Sequence, residues 1–308
     1  MYDTDVLVVG AGPSGLTLAA SLVKKGVATT VVDRQPAGAN TSRAAVVNAR
    51  TLEVLEDLDV SRRLVKEGVQ APRFTIRDGR RTLIPADFSV LPAEYPYSLM
   101  VPQATTERLL LDRWTELGGT VIRPKTLTAV TQTADGVTAT FEDGDVITAR
   151  YVVGADGIHS TVREQAGIGF EGGVYQESFA LADVRLRGEA PTDEVILFWA
   201  KAGLTVVAPL PGDIFRIVAP VADAPEEPSA AFIQQILDER GLGAGRMVVT
   251  DVIWGSRFRI HHRVADTFRA GRLLLTGDAA HVHSPAGGQG MNLGIQDGVA
   301  LADALAAV

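Results

Sequence analysis

Three stretches of this sequence combine residue types and spacings that can hold a phosphorylated group and support chemistry on it. The first is Gly10-Ala11-Gly12-Pro13-Ser14-Gly15, the pattern Gly-x-Gly-x-x-Gly. Glycines at these offsets permit a tight turn, close approach of a pyrophosphate to the backbone, and close packing of a strand on a helix whose N-terminus faces the phosphates. The pattern alone arises readily by chance, so its setting carries the inference. That setting is favourable: Asp33 stands 18 residues beyond Gly15, where a carboxylate binds ribose hydroxyls. The second stretch is Gly154-Ala155-Asp156-Gly157-Ile158-His159-Ser160-Thr161-Val162-Arg163. The third runs from Gly277-Asp278-Ala279-Ala280-His281-Val282-His283 through Ser284-Pro285-Ala286-Gly287-Gly288 to Gln289-Gly290-Met291-Asn292. There a Gly-rich loop leads into a helix. Such a loop bares backbone N–H groups and the helix N-terminus adds partial positive charge, which suits a group that becomes anionic. A reduced flavin, negative along its N1–C2=O edge, is such a group.

The elements that must position these stretches are legible. Asp5-Val6-Leu7-Val8-Val9 is a continuous apolar run, as expected of a strand buried on both faces of a parallel sheet. Leu16, Ala19, Ala20 and Val23 recur at helical spacing until Gly26 ends the helix, and Thr29 to Asp33 completes a βαβ unit. The spacing predicts amphipathic helices over 51–68 and 105–118. Alternation over 126–132, 137–141 and 146–148, punctuated by Asp135-Gly136 and Asp143-Gly144, predicts a three-stranded meander, and 151–154 returns to the buried sheet. From about 172 to 265 the character changes to antiparallel strands (178–187, 194–199, 204–209, 214–220), a helix over 229–240 and a strand at 248–257. Residues 272–278 read as one last buried strand ending in Gly-Asp. The expected organisation is a split nucleotide-binding domain, 1–171 and 266–308, with a sheet-rich substrate domain, 172–265, inserted into it. The sequence stops at Val308 inside a helix that starts near Gln289, which reads as a truncated C-terminus.

Composition narrows the function classes. The 308 residues are ample for a sizeable buried core, and 29 Lys and Arg against 37 Asp and Glu leave a net charge of −8. That balance offers no basic field for a polyanion and argues against nucleic acid as the main partner. Cysteine is absent, which removes disulfides, thiolate metal sites and any redox thiol, so a redox reaction here runs through a bound cofactor. The acidic N-terminus is unlike a signal peptide and no apolar run reaches membrane-spanning length, so a cytoplasmic protein is expected.

The three motifs, in this order and spacing, resemble the p-hydroxybenzoate-hydroxylase-like, or group A, flavoprotein monooxygenases over nearly the whole chain. Ser42-Arg43-Ala44 through Asn48-Ala49-Arg50-Thr51-Leu52-Glu53, and Val101-Pro102-Gln103 before Thr106-Glu107-Arg108-Leu109-Leu110, are similar to two further segments of that family. The resemblance implies an α/β fold: a Rossmann-like FAD-binding domain with an inserted, sheet-rich substrate domain. It implies that Gly10, Gly12, Pro13, Ser14 and Gly15 line the FAD pyrophosphate, with Asp33 and Arg34 beside the adenosine ribose and Arg43 near the phosphates. Gln103 would meet the ribityl chain and Leu127 the adenine. Asp156 matches a motif linked to both FAD and nicotinamide binding, which Arg163 closes. Gly277 and Asp278 would approach the ribityl chain, and Pro285, Gly288, Gln289, Gly290, Met291 and Asn292 would edge the isoalloxazine ring. The implied reaction takes electrons from transiently bound NAD(P)H and passes one atom of O2 through a C4a-hydroperoxyflavin to an aromatic or polycyclic small molecule. The flavin carries that chemistry, so no obligate acid–base residue is assigned.

No second Gly-x-Gly-x-x-Gly follows a later strand, so a dedicated nicotinamide domain is not expected. His281 and His283 have no adjoining carboxylate cluster, and no metal is expected. His261-His262-Arg263 closes a strand and reads as structural. Ser160 lacks a nucleophile elbow. Phe179, Leu181, Val207, Pro209 and Phe215 lie on strands of the middle domain, and as a set are expected to include one wall of the substrate cavity. A flavin-dependent dehydrogenase or reductase without oxygen transfer, and a non-catalytic FAD-binding fragment, are the alternatives. The sequence leaves the oligomeric state open.

Overall fold

A computed structural model describes residues 2–38, 44–284 and 287–308, apart from the side chain of Gln176. The apolar run at the N-terminus becomes the strand Thr4–Val9, central in an eight-stranded sheet. It pairs in parallel with Val146–Gly154 on one side and Thr29–Val32 on the other. Leu273–Leu275 extends the parallel order beyond the first of these, and Val121–Ile122 beyond the second. Alternation decides what each residue of the central strand touches. Val6 and Val8 join a cluster with Leu16, Leu22, Leu110, Trp114 and Ile295, which come from the helices Pro13–Lys24, Gln103–Glu116 and Gln289–Ala306. Leu7 and Val9 point the other way, onto Leu127, Phe141 and Val162. A strand buried on both faces cannot alternate apolar with polar, which is why its sequence is uniformly apolar.

The expected meander is present, but its third strand and the return to the sheet are one element, Val146–Gly154. Its first half pairs antiparallel with Val137–Phe141 and the rest pairs in parallel with Thr4–Val9. Ala149 takes part in both ladders, opposite Val137 and Thr4. The amphipathic stretch expected over 51–68 is broken into Ala49–Leu55, a 3-10 turn Glu56–Leu58 and Ser61–Glu67, because Asp59 turns left-handed at φ 58°.

The second sheet also has eight strands, in the order His281–Val282, Met247–Ala265, Phe170–Gly188, Ile214–Val221, Gly203–Leu210, Glu194–Ala200, Arg73–Asp78, Arg81–Asp87. Met247–Ala265 and Phe170–Gly188 form one long antiparallel ladder that starts at the first sheet and carries three register shifts. His261, His262 and Arg263 lie within that ladder. Two strands depart from the expected layout. Arg73–Asp78 and Arg81–Asp87, from the stretch 1–171, form a hairpin that joins this sheet through a parallel pairing with Glu194–Ala200. The helix Ala230–Arg240 covers one face, burying Ile233, Ile236 and Leu237 on Val207, Phe215 and Ile217. The opposite face meets a small three-stranded sheet, Val46–Val47, Ser98–Met100 and Val69–Ala71, through Ala208 and Leu210 packed on Ala45, Ala71 and Met100. Among the described residues no helix is long and apolar enough to cross a membrane.

Candidate functional site

The glycine turn does two separate jobs. Gly10 sits at φ +109°, and a Cβ there would lie 2.3 Å from the Ala155 carbonyl oxygen. A Cβ on Gly15 would lie 2.0 Å from the Gly10 carbonyl oxygen. These two glycines are therefore required by packing of the turn against the second motif. Gly12 differs: nothing stands within 4 Å of where its Cβ would be. Gly12 is also the N-cap of the helix Pro13–Lys24, no side chain caps that helix, and its first turn holds no acidic residue. Its free N–H groups and positive dipole end thus open beside unfilled space, which suits an anionic oxygen.

Asp33 closes the turn from the neighbouring strand. One carboxylate oxygen accepts from the Ala11 N–H at 2.6 Å and the other from the Gln35 N–H at 2.7 Å. Arg34 beside it is exposed. Gln103, at the start of its helix, donates its backbone N–H to the Ala44 carbonyl (3.1 Å), accepts from the Ala44 N–H (3.3 Å) and donates its side-chain amide to Glu107 (2.7 Å). Burial pushes the Glu107 carboxyl above its ordinary value, and the hydrogen bond from Gln103 opposes that rise. Leu127 is buried in the cluster with Val9, Val32 and Phe141.

The second motif is a pinned loop. Asp156 accepts from the backbone N–H groups of Thr161 (2.8 Å) and Val162 (3.3 Å), and Ser160 caps the short helix Thr161–Gln165. Burial raises the Asp156 carboxyl above the usual carboxylate range, against these hydrogen bonds. Arg163 is buried at 5% exposure and lies 3.8 Å over the Phe170 ring. It donates to the Ile158 carbonyl at 2.8 Å and to the Ala279 carbonyl at 2.9 Å, so it ties the second motif to the third. Desolvation lowers its guanidinium from the ordinary value.

In the third motif, Gly277 packs so closely that a Cβ would lie 2.5 Å from the Ser14 hydroxyl, which also approaches Gly294. Asp278 is exposed beside it. His281 meets Asp297 at 2.6 Å, and this hydrogen bond raises the imidazole pKa. Gly288 adopts φ +63° and is the uncapped N-cap of Gln289–Ala306, whose first turn also lacks acidic residues. A Cβ on Gly288 would lie 2.0 Å from Val46 Cγ1, whereas Gly290 has open space. Gln289 is exposed and accepts from the Asn48 amide at 3.4 Å; Met291 packs on the helical cluster. Asn292 is fully buried. It accepts from the Asn48 N–H (2.9 Å) and donates to the carbonyls of Val46 (2.9 Å) and Gly288 (2.6 Å), so its amide holds the turn. Arg43 and Pro285 lie outside the described residues.

The five middle-domain residues do not share a face. Val207 and Phe215 are in the core beneath the helix Ala230–Arg240, and Pro209 pairs with Phe215. Phe179 and Leu181 alternate with Ala180 and Ala182 of that core and point to the opposite face. There Phe179 stacks on Phe258 at 5.3 Å, and Asp183 forms a two-pronged ion pair with Arg216 at 2.7 and 2.8 Å. Phe258, Asp183 and Arg216 were missed in the sequence. Strict alternation from Phe179 would have found Asp183, but Phe258 and Arg216 come from strands whose register the sequence does not state.

A Rossmann-like sheet joined to a large antiparallel sheet, with two uncapped helix N-termini and the first of those helices packed through Ser14 on Gly277 and Gly294, defines the framework of a flavin-binding fold. A family model described as "FAD binding domain" matches residues 3–308, and the chain belongs to that family, in its p-hydroxybenzoate-hydroxylase-like group. The chain is 38% identical over 325 residues to the "Uncharacterized aromatic compound monooxygenase YhjG" of Bacillus subtilis strain 168, covering 100% of this chain and 62% of that protein. Its structure resembles OxyS anhydrotetracycline hydroxylase from Streptomyces rimosus (TM-score 0.79, 37% identity, 99% of this chain and 62% of that one). It also resembles p-nitrophenol 4-monooxygenase PnpA from Pseudomonas putida DLL-E4 (TM-score 0.85, 27% identity, 99% and 80%). The chain spans about three-fifths of the length of the curated relatives it matches, such as YhjG at 62%.

Proposed function

We propose that this chain is the FAD-binding and substrate-sheet part of a flavin-dependent monooxygenase that uses NAD(P)H and O2 to hydroxylate an aromatic or polycyclic small molecule. The observation that carries the reading is the open cradle at Gly12, the N-cap of a helix that has no capping side chain and no acid in its first turn, an arrangement repeated at Gly288. The residues present therefore fit FAD. Backbone N–H groups of Gly12 and Ser14 would hold the pyrophosphate, Asp33 would meet the ribose, and the Gly288–Gly290 turn would face the flavin ring. Bound there, FAD would supply hydride acceptance and oxygen activation.

The chain's own residues bind, orient and exclude water. Asn292 holds the turn at Gly288, Arg163 ties the second motif to the separate turn Gly277–Ala279, and the face carrying Phe179 and Phe258 offers flat apolar surface to an aromatic substrate. The names of its relatives support the oxygen-transferring reading. A cytoplasmic setting goes with the use of NAD(P)H. The test is visible absorption of the FAD-loaded, desalted chain titrated anaerobically with NADPH, followed by turnover under labelled O2. Retained and bleached flavin with label in the product supports the proposal. Bleaching with unlabelled product turns it to the dehydrogenase alternative, and no retained flavin in folded protein overturns it.

A further inference from the structure

We propose that Arg216 is a positioning residue that couples the substrate sheet to the cofactor turn by gripping the backbone at Ala44. This rests on the FAD reading for its consequence, though not for its geometry. Arg216 is only 3% exposed, on a strand at the centre of the antiparallel sheet, and it points away from the helix-covered core. Asp183, opposite it on the neighbouring strand, holds the guanidinium with both carboxylate oxygens, at 2.7 and 2.8 Å. That fork fixes the plane of the guanidinium, and the Nη1 atom then donates to the Ala44 carbonyl at 3.1 Å. Small side chains make the approach feasible. Ala208, paired with Arg216, packs in the cluster of Ala45 and Ala71, so sheet and loop lie close enough for one side chain to bridge them.

What Ala44 carries makes the contact consequential. The same carbonyl accepts from the Gln103 N–H, at the helix start expected to meet the ribityl chain. One residue on, the Ala45 carbonyl accepts from the Val101 N–H. Two residues on, Val46 presses on Gly288 and accepts from Asn292, and Asn48 donates to Asn292. Residues 44–48 thus run as a short spine from the substrate sheet to the N-cap of the flavin-facing helix, and Arg216 fixes its first residue. A buried ion pair is a poor source of stability, since desolvation offsets most of its attraction, but it confers geometric specificity when a third contact depends on it.

The test uses two variants of this chain, because Arg216→Ala would strand a buried carboxylate. Arg216→Lys can still pair with Asp183 but cannot fork onto it and reach Ala44 at once. Asp183→Leu combined with Arg216→Met replaces the pair by apolar side chains of similar volume and keeps the sheet packed. Hydrogen exchange is followed without FAD, and the FAD dissociation constant is measured by quenching of FAD fluorescence. Both variants are expected to speed exchange at Gln103 and in 44–48 by about tenfold and to weaken FAD by about tenfold, the worth of one charge-assisted hydrogen bond. Exchange in the helix Ala230–Arg240, on the other face, is expected to stay at the parent rate. Unchanged exchange at 44–48 overturns the grip. Faster exchange there with FAD affinity unchanged overturns the coupling. Faster exchange throughout the sheet assigns Arg216 a merely structural role and overturns the proposal. If the parent chain itself takes up no FAD, the FAD reading fails, and the exchange arm still decides whether Arg216 holds the spine.

Discussion

Asn292 gives the sharpest prediction, since its amide is fully buried and every polar contact described for it reaches the turn it supports. Asn292→Ala deletes three hydrogen bonds: one accepted from Asn48 and two donated, to Val46 and Gly288. At about 1 kcal/mol each, the FAD-free chain is expected to lose about 3 kcal/mol. For a chain of this size roughly 2 °C accompanies each kcal/mol, so the thermal midpoint is expected to fall by about 6 °C. Asn292→Asp refines the test. It keeps the oxygen that faces Asn48 but turns the donor into a carboxylate oxygen, set against carbonyls at 2.9 and 2.6 Å. That environment disfavours ionisation, so the folded-state pKa of the new acid lies above its unfolded value of about 3.9. A raised carboxyl pKa means the folded state binds the proton more tightly, so stability falls as pH rises between the two values and recovers on acidification. Thermal unfolding of both variants at pH 8 and pH 5, read by circular dichroism against the parent, is the assay. A loss below about 1 kcal/mol for Asn292→Ala, or an Asn292→Asp variant that does not close on the parent at low pH, would refute the reasoning.

Three further predictions concern neighbouring parts of the site. Gly10→Ala places a Cβ 2.3 Å from a carbonyl oxygen and should abolish soluble folded protein, while Gly12→Ala meets nothing within 4 Å. Gly12→Ala should therefore leave the unfolding midpoint near that of the parent and weaken FAD by about tenfold, read by flavin fluorescence, if the open space is where the pyrophosphate sits. The pKa of His281 is raised by its hydrogen bond with Asp297, so the pair stabilises the fold fully below the ordinary imidazole value and loses that contribution as pH rises through the folded one. Asp297→Asn should bring the His281 pKa, followed by NMR, down and flatten that pH dependence; an unmoved titration would count against the pairing. Phe258→Ala should raise KM for aromatic substrates by about tenfold with FAD affinity unchanged, because its ring stacks on Phe179 on the face away from the helix-covered core.

Local chemistry made the first strand, its glycine turn and the helix after it readable from the sequence. A strand buried on both faces must be apolar throughout, a turn pressed against a neighbouring carbonyl must use glycine, and a helix N-terminus left open for an anion has no acid in its first turn. Gly10, Gly12, Gly15, Asp33 and the loop leading into Gln289 were recognisable on those grounds, and family membership followed from their order. What they touch was not readable. Asn292 is expected at the ring edge, and the partners of its amide, Val46, Gly288 and Asn48, lie some 240 positions away or one turn back.

The middle domain shows where sequence ended and tertiary structure began. Alternation along one strand places Phe179 and Leu181 together, but cannot say which side a helix will cover. Val207 and Phe215 went to the helix-covered side because the ladder sets Phe215 opposite Val184 and Ile217 opposite Ala182. The hairpin Arg73–Asp78 and Arg81–Asp87 joined the second sheet through one parallel pairing that bridges some 120 positions, and Asp183 met Arg216 through a register no local signal encodes. The sequence by itself determined many of the elements and the make-up of the glycine turn, because both depend on neighbours within a few residues. Only the tertiary structure decided which face of the second sheet a helix covers, which charges were buried as a pair, and which residues brace the turn at Gly288. Those outcomes depend on strand register and on packing between distant segments.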